Sequence, residues 1–349
     1  MAIRRQQGCT GTTISGSAGR GSGHCVRPAR ETSSHFVHRL LLYAVAEEFL
    51  ATTVPFLRCG LAQGDALLAV STETNLRLLA AALGGDAECV DFADSADWYR
   101  YPARALAAYG DYVDEHPGRR VRIVGEPVWH GRTEAQIGEW ARFESMCNAV
   151  FAGSPVIFVC PYDARRLGPG VLANALRTHP EQAVDAVGIP NRNYTEPAEL
   201  VAEHNQRDLP EPPASATVVG FGRHDLAELR HLVADHAARA GMATQRLAEL
   251  VFLVNEVADN AIEHGGGWGT LRMWGAGQHL VCEIASPAVW SGGPFASYPF
   301  AANYALRGVG MWISWQVCDR VEFRTGHPGT TMRMHVAAPR FAGSRFPAR

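Results

Sequence analysis

The chain has 349 residues, 47% of them hydrophobic, and a formal net charge of −3. That length suggests two domains with real cores, and the near-neutral balance argues against direct DNA binding through phosphate contacts. All 32 basic side chains are arginine, which excludes a P-loop lysine, a Schiff-base lysine and a Ser–Lys catalytic pair.

Residues 1–33 are rich in Gly, Ser, Thr and Arg, with few large apolar side chains, and read as a disordered tail. From 34 to 188 apolar strands alternate with helical patterns. LLAVST (67–72), AECVDF (87–92), VRIVGEP (121–127) and VIFVCPYD (156–163) are predicted strands. TNLRLLAAAL (74–83), 105–116, 134–151 and a segment within 170–178 are predicted helices. This alternation predicts a mostly parallel sheet with helices on both faces. After LLAV the chain reads STETN, with neither the glycines nor the lysine of a phosphate loop. A ligand on such a sheet sits at the carboxyl ends of the strands, which nominates Arg122, Glu126, Asp163 and His179, with Ser71, Thr72 and Tyr162 beside them. Glu126 leads, because a carboxylate after a buried strand needs a partner and Arg122 shares its strand face.

Residues 189–216 are rich in Pro, Glu and Asn and read as a linker with one helix near 196–206. In 217–338, a helix at 224–240 precedes one at 244–264. Within the second, ELVFLVNEVADNAIEHG (249–265) places Glu256 and Asn260 one turn apart on one face, opposite an apolar stripe. A carboxylate plus an amide oxygen can hold Mg²⁺ and position a nucleophile beside a triphosphate. TLRMWGAGQHLVCEIA (270–285) reads as two strands around a Gly-Ala-Gly turn. Residues 286–306 are rich in glycine and aromatics. RGVGM (307–311) then sets Gly308 and Gly310 at the start of a helix, where backbone N–H groups approach phosphate oxygens. Residues 339–349 are a tail.

The eight cysteines are scattered without a C-x2-C pair, which predicts reduced core thiols over disulfides or a zinc site. No apolar run is long enough to span a membrane, and no apolar leader follows Arg4 and Arg5, so a cytoplasmic protein with no membrane contact is expected.

Glu256, Asn260, Ala261 and His264, followed by RGVGM, resemble the N box and second glycine box of the GHKL ATPases, above all the anti-sigma-factor serine kinases. CDRVEF (318–323) and PGTTMRMHV (328–336) continue the likeness. The resemblance implies a Bergerat-type two-layer α/β sandwich that binds ATP and Mg²⁺. Glu256 would be the general base and Asn260 the Mg²⁺ ligand. His264, Ser286, Arg307, Gly308, Gly310 and Thr330 would join the nucleotide site, and 286–306 would form its lid. One position departs. Ser286 and Ala288 stand where the family has an Asp and a Gly, and a serine hydroxyl accepts a hydrogen bond more weakly than a carboxylate.

HFVHRLLLY, PFLRCGLAQGDALLAV, VRIVGEPVW, FESMCNAVF, VIFVCPYD and THPE resemble the MEDS sensory domain, which implies a RecA/KaiC-like core without a phosphate loop. The expectation is therefore α/β plus α+β. It is a signalling regulator whose sensory part receives a small-molecule or partner signal. Its kinase part would phosphorylate a serine of an anti-sigma antagonist or engage a sigma factor, with a homodimer left open. The alternative is a non-catalytic module that sequesters a partner through a degenerate nucleotide site.

Overall fold

The computed structural model describes residues 35–100, 102–129, 132, 134–184, 187–205, 209–289 and 317–339. The predicted tail at 1–33, Arg307, Gly308, Gly310, most of the predicted lid and all but the first residue of the closing tail lie outside them. In chain order the elements are β1 (Val37–Tyr43), α1 (Ala46–Gln63), β2 (Ala66–Ser71), α2 (Glu73–Leu83), β3 (Asp91–Asp94), α3 (Ser95–Trp98), α4 (Pro102–Asp114), β4 (Val121–Gly125), α5 (Glu134–Val150), β5 (Val156–Asp163), α6 (Pro169–Thr178), β6 (Glu181–Val184), β7 (Val187–Pro190) and α7 (Pro197–Asn205). After the linker come β8 (Thr217–Gly222), α8 (Leu226–Arg239), α9 (Thr244–His264), β9 (Trp268–Ala276), β10 (His279–Ser286), β11 (Arg320–Gly326) and β12 (Gly329–Ala337).

The chain folds into two compact units. Among the described residues, the first takes those from 35 to Trp98, Val113–Trp129 and Phe151–Tyr194; the second takes those within 99–112, 130–150 and from Thr195 on.

The first unit holds a seven-stranded sheet in the order β3-β2-β4-β5-β1-β6-β7, parallel except where β7 pairs with β6. Every residue of β2 and of β4 is buried, as expected for strands covered on both faces. Thr72 starts α2 by accepting the amide of Asn75 at 3.3 Å, an N-cap bond that satisfies one of the helix's open donors. The predicted strand at 87–92 begins later. Gly84–Cys89 form a 3₁₀ turn after α2, and pairing with β2 starts only at Asp91. The central strand β1, VHRLLLY, carries no period-2 alternation that would mark it as a strand in the sequence.

The second unit holds a five-stranded antiparallel sheet, β11-β12-β10-β9-β8, with α8 and α9 against one face. Leu250, Leu253, Val254, Val257, Ala261 and Ile262 of α9 are buried in one core with residues of β9, β10 and β12. Opposite them Cys282 lies in register with Met273 and Met334, all at most 1% exposed. Each large apolar side chain so buried contributes about 1.5–3 kcal/mol. The period-3.6 stripe read from the sequence is therefore the core face of α9. Four thiols, Cys147, Cys160, Cys282 and Cys318, are free and buried as expected, and burial pushes Cys282 up to about 12. Cys89 departs from that expectation, being disulfide-bonded. Among the described residues no helix is long and apolar enough to cross a membrane.

Candidate functional site

On α9, Glu256 and Asn260 are half-buried, and among the described residues neither side chain takes a hydrogen-bonded or ionic partner. Both belong to the face beside the buried stripe, one and two turns before the helix ends at His264, which is exposed. The next residue, Gly265, is buried. A β-carbon there would stand 2.6 Å from both Cβ and Oγ of Ser286 and would also strike the Ala261 carbonyl. Glycine is what lets the end of α9 meet the end of β10. Ser286 is 6% exposed and faces Thr330 across the β10–β12 ladder. Thr330 donates to the Ala288 carbonyl at 3.0 Å, and Gly329 lies against the Ser286–Pro287 backbone. Three distant stretches of sequence, the end of α9, Ser286 and Thr330, are thus joined through Gly265 and the β10–β12 register. The glycine pair and Arg307 of the expected nucleotide site fall outside the described residues.

The opposite face of this sheet is charged and mostly buried. Glu283, 2% exposed, accepts from Arg272 and Arg333, each at 2.8 Å. Arg333 also donates to the Pro210 carbonyl of the linker at 2.8 Å. Glu322 pairs with Arg320 at 3.2 Å and His335 at 2.6 Å. Burial pushes its carboxyl up, but those two partners offset it and hold it below the ordinary value. Two clefts open on this unit. One of about 410 Å³ is lined by Arg272, Glu283, Arg324, Thr331 and Arg333, and one of about 320 Å³ by Arg100, Arg132, Glu139, Trp140, Arg142 and Arg320. Neither is lined by Glu256 or Asn260.

Helix α5 packs against this charged face. Arg142 donates to the Val321 carbonyl at 3.4 Å, Arg324 bridges to Glu139 at 2.9 Å, and His204 of α7 meets Glu139 at 2.6 Å. From α4, Arg104 pairs with the buried Asp319 at 3.0 Å. Sequence reasoning missed this surface. Its signal was available as charges at every second position, Glu322 and Arg324 in β11 and Arg333 and His335 in β12, on strands that read as apolar on their other face.

In the first unit the carboxylate of Glu126 gathers donors at the carboxyl ends of the strands: Tyr43 Oη at 2.6 Å, Asn75 Nδ2 at 2.9 Å and the Ser71 hydroxyl. Burial and the adjacent Glu126 charge push the Tyr43 phenol up. The expected Arg122–Glu126 partnership does not form. Four residues along a strand separate them by about 13 Å, and Arg122 runs the other way, past Gly60 of α1, to bridge Asp65 at 2.7 Å. Asp163 caps the turn after β5, accepting the Arg165 amide at 3.0 Å and pairing with Arg166 at 3.3 Å. His179 is not at the strand ends. It is fully buried beside His38, their ring centroids 4.0 Å apart, and burial pushes its pKa down to about 4.

Residues 37–180 match the MEDS family, the methanogen/methylotroph, DcmR sensory domain, and residues 223–336 match the histidine kinase-like ATPase domain. No curated protein matches the chain. Among solved structures, one similar chain is the crystal structure of the RsbU and RsbW domains of Rv1364c from Mycobacterium tuberculosis, at 15% identity and a TM-score of 0.27. The likeness covers 37% of this chain and 34% of that one. This protein therefore carries a MEDS sensory segment followed by a histidine kinase-like ATPase segment.

Proposed function

We propose that the protein is a cytoplasmic signalling regulator of the anti-sigma-factor type, whose C-terminal part binds Mg·ATP and phosphorylates a serine of a protein antagonist. The observation that carries this reading is the half-buried Glu256–Asn260 pair, unpartnered among the described residues, on the helix whose end meets Ser286, the strand partner of Thr330. Carboxylate and amide oxygens are the ligands a hard cation takes, so the donor set fits Mg²⁺. Bound Mg·ATP supplies a transferable γ-phosphoryl group with its charge partly neutralised. Asn260 holds the ion, and Glu256 takes the proton of the attacking serine hydroxyl. Ser286 and Thr330 contribute hydroxyls at the base end of the pocket, with His264 at its rim. Gly308, Gly310 and Arg307 border the phosphates by the resemblance.

In this reading residues 34–188 form a sensory core of RecA/KaiC type without a phosphate loop, 189–216 the linker, and 217–338 a Bergerat-type domain. Glu126, with Arg122, Asp163 and His179 more remote, belongs to the sensory part, which receives a small-molecule signal. Helices α4 and α5 lie between strands of the sensory sheet in sequence, yet bond to β11 and the residues before it through Arg104, Glu139 and Arg142. A sigma factor or its antagonist is the partner class, and a homodimer is compatible with this scheme.

A second reading has its own observation. Ser286 is buried against Gly265 where related ATPases present a carboxylate, which suits a partner-sequestering module with a weak nucleotide site. Basal ATP hydrolysis separates the two. For the kinase, Glu256→Gln lowers turnover by about 10²-fold or more while a fluorescent ATP analogue still binds. No turnover above that of Glu256→Gln in the unaltered protein removes the kinase reading and leaves the second.

A further inference from the structure

Three side chains from separate parts of the first unit meet inside its sheet. His38 of β1 and Cys160 of β5 project to the same face of adjacent parallel strands, where Leu40 is the registered partner of Cys160. His179 joins them from the junction between α6 and β6. All three are buried, at 2%, 5% and 0% exposure. Their ligand atoms lie within 4.8 Å of one another, and His38 Nε2 stands 3.3 Å from Cys160 Sγ.

The hydrogen bonding of His179 makes this more than a close-packed cluster. Its Nδ1 lies 2.7 Å from the Ala175 carbonyl. A carbonyl only accepts, so the proton is on Nδ1 and the lone pair on Nε2. That Nε2 is fully buried and has no hydrogen-bond partner. A buried acceptor left unsatisfied costs about 1–3 kcal/mol. An imidazole whose Nδ1–H is fixed by a backbone carbonyl keeps its Nε2 lone pair available, as metal-ligating histidines do.

We propose that His38, Cys160 and His179 form a binding site for one thiophilic transition-metal ion of the Zn²⁺ class. Two imidazoles and one thiolate are the borderline-to-soft donors that select such ions over Mg²⁺ or Ca²⁺. With metal–sulfur and metal–nitrogen bonds of about 2.3 and 2.05 Å, a tetrahedral ion sets its ligands about 3.5 Å apart. The His38–Cys160 pair is already near that spacing, and the two edges that run to His179 lie within 4.8 Å and close by rotation of its ring. Metal entry displaces the Cys160 thiol proton to solvent and gives Nε2 of His179 its missing partner. Three protein ligands leave a fourth position open to a small donor molecule. Around it stand the rings of Phe158, 5.8 Å from His38, and Tyr162, 5.8 Å from His179, so that position is shielded from bulk water. The site is closed enough that the ion is taken up as the chain folds. Nothing in this inference depends on nucleotide binding by the second unit.

The test uses the full chain, expressed without a histidine tag in zinc-supplemented medium and dialysed against a weak chelator. About one zinc per chain is expected, falling about tenfold or more in Cys160→Ser and in His179→Gln, while Cys59→Ser, a variant of a thiol outside the cluster, keeps its metal. Protein from cobalt-supplemented medium should show a near-ultraviolet thiolate-to-cobalt charge-transfer band that Cys160→Ser lacks. Should the variants fail to fold, zinc-edge X-ray absorption of the unaltered protein decides, with one sulfur and two imidazole nitrogens expected. Zinc content no higher than in Cys160→Ser, an unchanged cobalt band in that variant, or a coordination shell without sulfur overturns the proposal.

Discussion

The buried bridge between Arg122 and Asp65 gives a prediction whose size follows from exposure and geometry. The two side chains are 2% and 7% exposed and 2.7 Å apart. Among the described residues, Asp65→Ala would leave the buried guanidinium with the Gln63 side-chain oxygen at 3.3 Å and the face of Phe56, 5.1 Å from its centre. Those contacts do not replace a carboxylate, so the loss should be about 3–5 kcal/mol. Arg58–Asp86 makes a similar bond at 2.9 Å but is 51% and 42% exposed, and Asp86→Ala should cost less than about 1 kcal/mol. Adding Arg122→Met to Asp65→Ala removes the stranded charge and should recover most of the loss. Urea denaturation, followed by tryptophan fluorescence, supplies the double-mutant cycle. A coupling between Arg122 and Asp65 below about 1 kcal/mol, or a larger coupling of Arg122 to Glu126, would refute the reasoning.

Three further outcomes follow. Gly60→Ala should destabilise by about 1–3 kcal/mol, because the added carbon would stand 2.6 Å from both Arg122 Cδ and Leu67 Cδ2; an unchanged denaturation midpoint would show that α1 yields freely. Burial alone would raise the Glu139 carboxyl, but Arg142, His204 and Arg324 hold it well below the usual carboxylate range. The unfolded chain therefore takes up this proton first on acidification, so the stabilisation is complete above the unfolded value of 4.5 and is lost as pH falls below it. As pH falls from 4.5 to 3 the unaltered protein should lose stability faster than Glu139→Gln, with the extra slope rising towards about 1.4 kcal/mol per pH unit, and parallel stability curves for the two would contradict that. Gly265→Ala should weaken both folding and Mg·ATP binding, since its β-carbon would displace Ser286; calorimetry showing wild-type affinity would detach Ser286 from the site.

Much of the second unit was legible because α9 carries a strong 3.6-residue period, and the helix spans Thr244–His264 as the pattern required. Its candidate pair could be named because Glu256 and Asn260 break that period on the adjoining face. The convergence on Ser286 and Thr330 needed the β10–β12 register, which lies outside any local pattern. The first unit was legible as alternating strands and helices, but β1 was not, since a strand buried on both faces has no alternation to detect. Partners were harder than elements. Arg122 and Glu126 share a strand face, yet side-chain reach along the strand, about 13 Å here, decides pairing. The meeting of His38, Cys160 and His179 was invisible in sequence, because 122 residues separate the first two and the strand order that joins them is non-sequential.

The most direct test of the central claim is a calorimetric titration of the full chain with ATP, with and without Mg²⁺, alongside Asn260→Ala. The account predicts saturable binding at one site that needs Mg²⁺ and weakens about tenfold or more in the variant. No heat at millimolar Mg·ATP, or binding unaltered by loss of Asn260, would contradict it.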